Sequence, residues 1–293
     1  MDHGSAMNTH PSRIVCLSAE TAETLCLLDE GDRIVGLSGP VSHLPEAQQR
    51  KPRLSIQTDT CAERICALEP ELVLGSGQKH GAVLAALAQR GIAVHLFNQC
   101  SVRSILSMIR IVGALVGRDH AAASYAASLE WRIEAIRARS HEERRPRIYF
   151  EEWNEPSISA GTWISELIDI AGGANCFPEL ASRQRQEERI VSDLDEVVRR
   201  EPDIIVASWS SKPFRLEHIE SRAGWKHLPA VVNGEVHELA ASFIQQPGPV
   251  ALTHGLDALH RIVETWRERR TRMFQTAFVP GGRTTAGAAE RVA

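Results

Sequence analysis

The chain has 293 residues, of which 43% are hydrophobic and 24% charged, and its formal net charge at pH 7 is -4. Such a length and composition are typical of a globular protein that has either one large domain or two domains of average size. The slightly acidic balance gives no reason to expect nucleic acid or an anionic membrane as a partner. No apolar run approaches the roughly 18 residues that a transmembrane helix needs.

The two ends of the chain are polar. The first thirteen residues read MDHGSAMNTHPSR and contain no apolar stretch of the kind found in a secretory signal peptide. We expect disorder over residues 1–12, and the composition predicts a second disordered tail over residues 271–293. With Met1 as the native start, this pattern would indicate a cytoplasmic protein.

Seven short apolar runs, bounded by Gly, Pro, Asp or Asn, are typical of buried strands in a mostly parallel sheet. In chain order they cover residues 13–17, 33–36, 71–74, 93–97, 147–150, 203–207 and 235–239. Helical patterns lie between them, over residues 22–28, 82–89 and 164–170. This alternation of strands and helices predicts an α/β fold.

The stretch 101–141 differs because it carries no strand signal. Ile105, Met108, Ile109 and Val112 recur there at helical spacing. A single helix of ~38 residues would be ~57 Å long, which is enough to connect two lobes. The alternative is two ordinary helices with a break near Gly117.

The two halves of the chain repeat the same order of features. Glu63 is followed by Pro70 and an apolar strand, and Asp195 is followed at the same interval by Pro202 and an apolar strand. We therefore predict two similar three-layer α/β lobes with mostly parallel sheets, joined by a long backbone helix. The first lobe would span residues 13–100, the connecting helix 101–141 and the second lobe 142–270.

Glu63 and Asp195 have two interpretations. Each is placed to be the third residue of a helix capped by Thr60 or Ser192, in a capping box. Two equivalent acids on two lobes would also form a symmetric pair of docking points for basic residues of a partner.

Motifs of the common enzyme classes are absent from the sequence: there is no GxGxxG, P-loop, GxSxG or HExxH. Histidines and cysteines lack metal-ligand spacing. We therefore predict no catalysis, no intrinsic cofactor and no metal site. The loop 75–81, which contains Gln78, lies where a strand gives way to a helix and is a candidate wall of a binding site.

Aromatic and polar side chains follow the strands of the second half. Because ligands of open α/β sheets bind beyond the carboxyl ends of the strands, we expect these side chains to line one rim. Aromatic groups at such a rim suit a large, flat or partly apolar ligand. The candidates are Glu152, Trp153, Trp163, Trp209, Lys212, Phe243 and Gln245. The alternative is that one or two of these tryptophans pack in the hydrophobic core, and Trp163 is the first candidate for this.

Five segments carry a resemblance to a known family. They read RIVCLSAETAETLCLLDEGDRIVG, ERICALEPELVLGSG, SAGTWISELIDIAGG, DEVVRREPDIIVASWSSK and GWKHLPAVVNGEVHELAASFIQQPGP. Over roughly residues 13–263 the chain resembles the Fe/B12 periplasmic-binding family, the helical-backbone substrate-binding proteins of ABC importers. It is most similar to the branch described as cobalamin-binding.

The resemblance implies a periplasmic, non-enzymatic protein that clamps one small molecule, cobalamin, another corrinoid or a related iron chelate, between its lobes. It implies docking of Glu63 and Asp195 onto arginines of an ABC permease, which works with its ATPase. The family's first-lobe ligand positions fall near Pro40 and Gln57, and the first-lobe candidates for ligand binding are Gly39, Gln57 and Gln78. We expect a monomer. The alternative is a cytoplasmic enzyme, or a corrinoid- or metal-handling protein, on the same scaffold, with Glu151, Glu152 and Glu155 as acid/base groups or metal ligands.

Overall fold

The computed structural model describes residues 10–39, 42, 44–55, 61–140, 144–210 and 213–277. The strands are β1 (Ile14–Cys16), β2 (Ile34–Leu37), β3 (Leu72–Ser76), β4 (Ala93–Phe97), β5 (Arg147–Asn154), β6 (Ser157–Ser159), β7 (Ala174–Asn175), β8 (Ile204–Ala207) and β9 (Val236–Glu238). The helices are α1 (Ala19–Leu27), α2 (Glu46–Gln49), α3 (Cys61–Cys66), α4 (Gly77–Gln89), α5 (Val102–Leu115), α6 (Asp119–Ser140), α7 (Thr162–Ile170), α8 (Pro178–Ala181), α9 (Asp195–Arg200), α10 (Glu217–Glu220), α11 (Pro229–Val232), α12 (Ala241–Ile244) and α13 (Leu256–Ala277). A π-helical turn, Ala251–Gly255, leads directly into α13.

The first sheet is entirely parallel, with the strand order β2-β1-β3-β4. Successive residues of a strand point to opposite faces, and here both faces are covered. Ile14 and Cys16 pack toward α1 and α5, whereas Val15 packs toward the side of α3 and α4. Burial on both faces explains why the strand sequences are continuously apolar.

The second sheet has the order β6-β5-β8-β9, and β7 pairs with the start of β5. Its long strands are parallel, and only β6 runs antiparallel to β5 among the described strands. Phe150 packs toward α7 and α13, and Tyr149 packs on the opposite face. All seven predicted strands are confirmed, as are the two three-layer lobes. The sequence did not indicate β6, which reads Ser-Ile-Ser, or β7, which reads Ala-Asn, because neither is an apolar run.

The connection between the lobes is a helical hairpin, so the prediction of one continuous helix is wrong and the alternative with a break is right. Gly117 adopts a φ of +73°, which glycine reaches without strain, and it separates α5 from α6. The two helices then pack along each other. A Cβ at Gly113 would lie 2.2 Å from the Cβ of Ala122, so glycine permits this close approach. Arg110 and Glu130 form an ion pair across the hairpin, with 2.9 Å between nitrogen and oxygen.

Helix α6 reaches from one lobe to the other. It has 22 residues, which corresponds to about 33 Å. Just before its start, Arg118 pairs with the buried Glu30 of the first lobe at 2.5 Å. At its end, the carbonyl of Ser140 accepts a hydrogen bond of 3.0 Å from Arg267 of the second lobe.

The structure also corrects two predicted boundaries. Helix α13 continues to Ala277, so the second lobe does not end at residue 270. At the other end, the Ser12 hydroxyl donates a 3.0 Å hydrogen bond to Glu71, so the segment 10–12 is held against the first lobe. Residues 1–9 and 278–293 lie outside the described residues. No helix in the described part of the chain is long and apolar enough to cross a membrane.

Candidate functional site: the cleft between the lobes

Segments that follow the carboxyl ends of the two sheets meet between the lobes. Helix α1 begins directly after β1, and its residues Glu20 and Glu23 lie against Gly248, which follows β9 and α12. A Cβ at Gly248 would be 2.6 Å from the Cβ of Glu20. Gly39, at a φ of +83°, follows β2 and lies near the start of α1. This is the place where ligands bind to open α/β sheets.

Trp209 does not lie at the rim, contrary to the expectation from its position after β8. Only 7% of the residue is exposed, and it packs in the core of the second lobe. Its indole Nε1 donates a 3.2 Å hydrogen bond to Glu151, and its ring lies 5.4 Å from that of Phe214. Trp209 is therefore a structural residue in this conformation.

Glu151 is the centre of a buried polar network. Arg222 donates two hydrogen bonds to its carboxylate, at 2.7 and 3.1 Å, and Ser157 donates a third at 2.6 Å. The hydroxyl of Tyr149 is 3.1 Å away, and burial, with Glu151 nearby, raises the pKa of Tyr149 well above its ordinary value. A bidentate arginine compensates the charge of the buried Glu151 here.

Glu152 is also engaged inside the protein, although the sequence had suggested a ligand contact. It pairs with Arg189 at 2.5 Å, and the two residues are 4% and 3% exposed. Gln186 donates a further hydrogen bond of 2.7 Å to the same carboxylate. Because the pair is sealed from water, neither charge is available to a ligand unless the pair opens.

Three other predicted residues hold the cleft edge of the second lobe together. The Gln245 amide donates to the carbonyls of Glu152, at 2.8 Å, and Ser208, so it ties the ends of β5 and β8. Trp163 is half-buried and donates a 2.9 Å hydrogen bond to the carbonyl of Ile244 at the end of α12. Phe243, half-buried in α12, stacks on His254 with ring centroids 5.3 Å apart.

Trp153 is a predicted aromatic that keeps an accessible face. It is half-buried on β5, near the hairpin to β6, and its indole donates a 2.8 Å hydrogen bond to the carbonyl of Glu155. Gln57 and Lys212 lie outside the described residues, and so does the side chain of Gln78, whose backbone belongs to α4. Their contacts with a ligand stay predictions.

Uncharged polar atoms at this edge were not found by sequence reasoning. Gln99 follows β4 and is 8% exposed, Asn154 ends β5, and Ser208 follows β8 and is fully buried. The Nε2 of Gln99, the Oδ1 of Asn154 and the Oγ of Ser208 are buried and have no hydrogen-bond partner among the described residues. Buried polar atoms are nearly always paired, so these three atoms call for a partner such as a water molecule or a bound small molecule. Only their position after predicted strands could have suggested them.

The two acids that the sequence paired are exposed at helix starts. Glu63 lies in the first turn of α3, and Asp195 is the first residue of α9. The predicted capping box at Ser192 is wrong, because α9 begins three residues later and its first N–H is bonded to Asp193 at 3.0 Å. Thr60, the other predicted cap, lies outside the described residues.

The acids around Asp195 differ in their partners. Asp193 and Glu196 are bound by Arg199 at 2.7 and 2.6 Å. Neither Asp195 nor Glu63 forms an ion pair or a side-chain hydrogen bond with any residue that the structure describes. Both side chains are exposed, and Glu63 lies close enough to Arg90 for an electrostatic interaction. No group of three or more His, Cys, Asp or Glu side chains that could hold a metal ion occurs in the described ranges.

Residues 14–242 match the periplasmic binding protein family. The chain belongs to the periplasmic binding protein family. Among the relatives of this periplasmic binding protein is a cobalamin-binding protein of Halobacterium salinarum, which is 28% identical over 256 residues, covering 83% of this chain and 67% of the relative. The fold is that of the periplasmic vitamin B12-binding protein of Vibrio cholerae, with a TM-score of 0.70, 20% identity and coverage of 88% and 98% of the two chains. The fold is also similar to that of a periplasmic heme-binding protein from Roseiflexus sp. RS-1. This comparison has a TM-score of 0.72 and 22% identity, and it covers 86% of this chain and 99% of the other.

Proposed function

We propose that this periplasmic binding protein captures a corrinoid, of the cobalamin class, in the cleft between its lobes and delivers it to an ABC importer without chemical change. The sequence relative with 28% identity is named for cobalamin binding and aligns over 83% of this chain. The lobed architecture supplies two facing walls. Each wall is built from segments that follow parallel strands, where this class of sheet binds its ligands.

The uncharged buried atoms at the cleft edge carry the proposal. Gln99 of the first lobe and Asn154 and Ser208 of the second offer one amide donor, one amide acceptor and one hydroxyl. A corrin ring bears a periphery of carboxamide side chains, which are both donors and acceptors and carry no charge. Amide and hydroxyl groups of the protein are the natural hydrogen-bond partners of such a periphery.

The charged groups of the second lobe support the same ligand class. Haem carries carboxylates and ferric siderophores are commonly anionic, so both are favoured by a free cation at the site. Among the cations of the second lobe, Arg189 and Arg222 are each engaged by a buried glutamate, whereas Lys212 lies outside the described residues. The engagement of Glu151 and Glu152 in these pairs likewise gives no support to acid/base catalysis.

The partner that suits the exposed acids is a transporter with two basic docking points. Glu63 and Asp195 lie on equivalent helices of the two lobes, α3 and α9, each of which precedes a central strand of its sheet. A symmetric pair of acids fits a symmetric pair of permease subunits. Delivery to such a permease places the protein on the outer side of the cytoplasmic membrane, as in the family.

The test is a titration of the purified protein with cobinamide, aquocobalamin, haem and a ferric hydroxamate, followed by quenching of tryptophan fluorescence. We expect saturable quenching by the two corrinoids with one ligand per chain. The variant Trp153→Phe removes the half-exposed indole at the cleft end of β5, so it should reduce the amplitude of quenching without removing binding. Saturation by haem or the ferric hydroxamate with no response to either corrinoid would contradict the proposed ligand class.

A further inference from the structure

One aromatic side chain lies outside both the hydrophobic core and the candidate ligand site. Trp131 of α6 is 76% exposed, the largest exposed fraction among the large hydrophobic side chains that the structure describes. Its neighbours three, four and seven positions away share its face of the helix, and they are small and exposed: Ser124, Ala127, Ser128 and Ala138. A helix face that meets only water usually carries charged side chains. This face of α6 instead presents one large apolar side chain above a low surface of small ones.

A cavity of about 780 Å³ lies beside Trp131. Its walls come from α5, α6, α7 and α8, so it is distinct from the cleft beyond the strand ends. Two of its lining residues, Glu130 and Glu134, are the residues one before and three after Trp131, so the indole lies within about one helical turn of the cavity. The floor is formed by buried apolar side chains: Leu106, Ile133 and Ile170.

The rim of the cavity carries charges of both signs. Arg103, near the start of α5, is exposed and forms no ion pair with any residue that the structure describes. The carboxylates of Glu166 and Asp169 belong to the wall that α7 supplies. An indole ring packs on apolar side chains, attracts a guanidinium to its face and donates its N–H to an acceptor. The cavity offers a partner for each of these three interactions.

We propose that two copies of this chain associate through this surface, with Trp131 of each copy inserted into the cavity of the other. A projecting side chain and a cavity that lie side by side are self-complementary under a two-fold rotation, because the rotation brings each one onto its counterpart in the second copy. Both features are then filled by the same contact. Helix α6 of one copy runs antiparallel to α6 of the other.

The charges of the surface fit this arrangement. Glu134 lies one helical turn from Trp131, so it reaches the rim of the second copy's cavity together with the indole. Arg103 of the second copy is the cation at that rim. The two-fold symmetry gives two such pairs of opposite charge in each dimer.

The size of the surface predicts a reversible dimer. Helix α6 has 22 residues, and the pair of α5 and α6 is about 33 Å long and about 20 Å wide, so its outer face covers up to roughly 660 Å² on each copy. Stable interfaces bury roughly 800 Å² per partner, so we expect a dissociation constant in the micromolar range. Such a dimer would replace the monomer expected from the sequence.

Dimerisation and the proposed docking to a permease use different helices. The dimer contact involves α5 to α8, whereas Glu63 and Asp195 lie on α3 and α9. The inference therefore rests neither on the proposed ligand nor on the proposed transporter, and it is tested with the ligand-free protein.

The experiment is sedimentation velocity of the full chain over a concentration series that spans the micromolar range. We expect the sedimentation coefficient of the parent to rise from that of a monomer to that of a dimer. Trp131→Ala should weaken dimerisation at least about tenfold, because an aromatic anchor in a pocket contributes most of the affinity of an interface. The matched control is Val232→Ala, which truncates another exposed hydrophobic side chain, on α11, and should associate like the parent.

A second variant tests the insertion itself. Ser182→Trp, at the exposed rim of the cavity, should obstruct the cavity without entering the core. Each variant alone lacks both contacts, since Trp131→Ala has no indole to insert and Ser182→Trp has no open cavity. In a mixture, the open cavity of the first variant accepts Trp131 of the second. We therefore expect the mixture to associate more strongly than either variant alone.

Equal dimerisation of the parent and Trp131→Ala would overturn the proposal, and so would a parent that stays monomeric throughout the series. A mixture that associates no better than the separate variants would also count against it. If Ser182→Trp does not fold, Arg103→Glu replaces it, because it sets an acid against Glu134 of the second copy. Dimerisation of Arg103→Glu as strong as that of the parent would then contradict the assigned contact.

Discussion

Gly248 offers a test of the lobe junction that involves no charge. A Cβ at this position would lie 2.6 Å from the Cβ and 3.2 Å from the Cα of Glu20 on the opposite lobe. Ordinary carbon–carbon contacts are about 3.5–4.0 Å, so Gly248→Ala requires a separation of about 1 Å. Overpacking of this kind costs about 1–3 kcal/mol.

The measurement is thermal unfolding of the ligand-free protein. For a chain of this size, 1 kcal/mol corresponds to about 2–4 °C, so Gly248→Ala should lower the midpoint of thermal unfolding by about 2–12 °C. The control is Gly81→Ala in α4, where an added Cβ meets nothing within 4 Å. Because alanine is favoured over glycine inside a helix by about 0.5–1 kcal/mol, this variant should be slightly stabilised.

The two variants add the same methyl group, so the difference between them isolates the junction. A Gly248→Ala protein with the midpoint of the parent would refute the close approach of the lobes at this turn. A loss of stability in both variants would refute it equally, since the effect would then come from glycine replacement and not from the contact with Glu20.

Three further predictions concern the buried polar groups. Trp209→Ala should lower the free energy of unfolding by about 3–5 kcal/mol, because it removes a buried indole, and a denaturant midpoint equal to the parent's would mean that Trp209 faces the cleft. Arg222→Met should lower the free energy of unfolding by about 3–5 kcal/mol, because Glu151 loses its compensating charge. Adding Glu151→Gln to this variant should restore part of the lost stability. A double variant as unstable as Arg222→Met alone would contradict the ion pair. Since the pKa of Glu23 is raised from 4.5 to about 8, its stabilising contribution is complete below pH 4.5 and declines as pH rises to about 8. The parent should therefore lose up to about 1.4 kcal/mol per pH unit relative to Glu23→Gln in urea titrations over this window, and parallel pH profiles would refute that assignment.

The sequence predicted the strands well because buried parallel strands are short, apolar on both faces and bounded by turn residues. The boundaries of β4, Ala93–Phe97, agree at both ends. The hairpin between α5 and α6 was harder to predict. A helix can pass through glycine, and the reversal at Gly117 depends on the packing of Gly113 against Ala122, which is a tertiary contact.

The side chains of the candidate site were less predictable than the fold. A tryptophan after a strand can face a ligand or the core, and Trp209 faces the core because Arg222, distant in sequence, holds Glu151 beneath it. The engagement of Glu152 by Arg189 has the same origin. The position of a residue relative to the predicted strands indicates the edge of the sheet at which it lies. Its side-chain partners depend on packing between segments that are far apart in the sequence, and no local pattern reveals them.

Equilibrium dialysis against cobinamide, read by the absorbance of the corrin ring, shows whether the protein binds a corrinoid. We expect one corrinoid to be retained per chain with a dissociation constant in the micromolar range or below, which corresponds to a binding free energy of about 8 kcal/mol or more. Equal cobinamide concentrations on both sides of the membrane, with folded protein well above micromolar concentration, would contradict it.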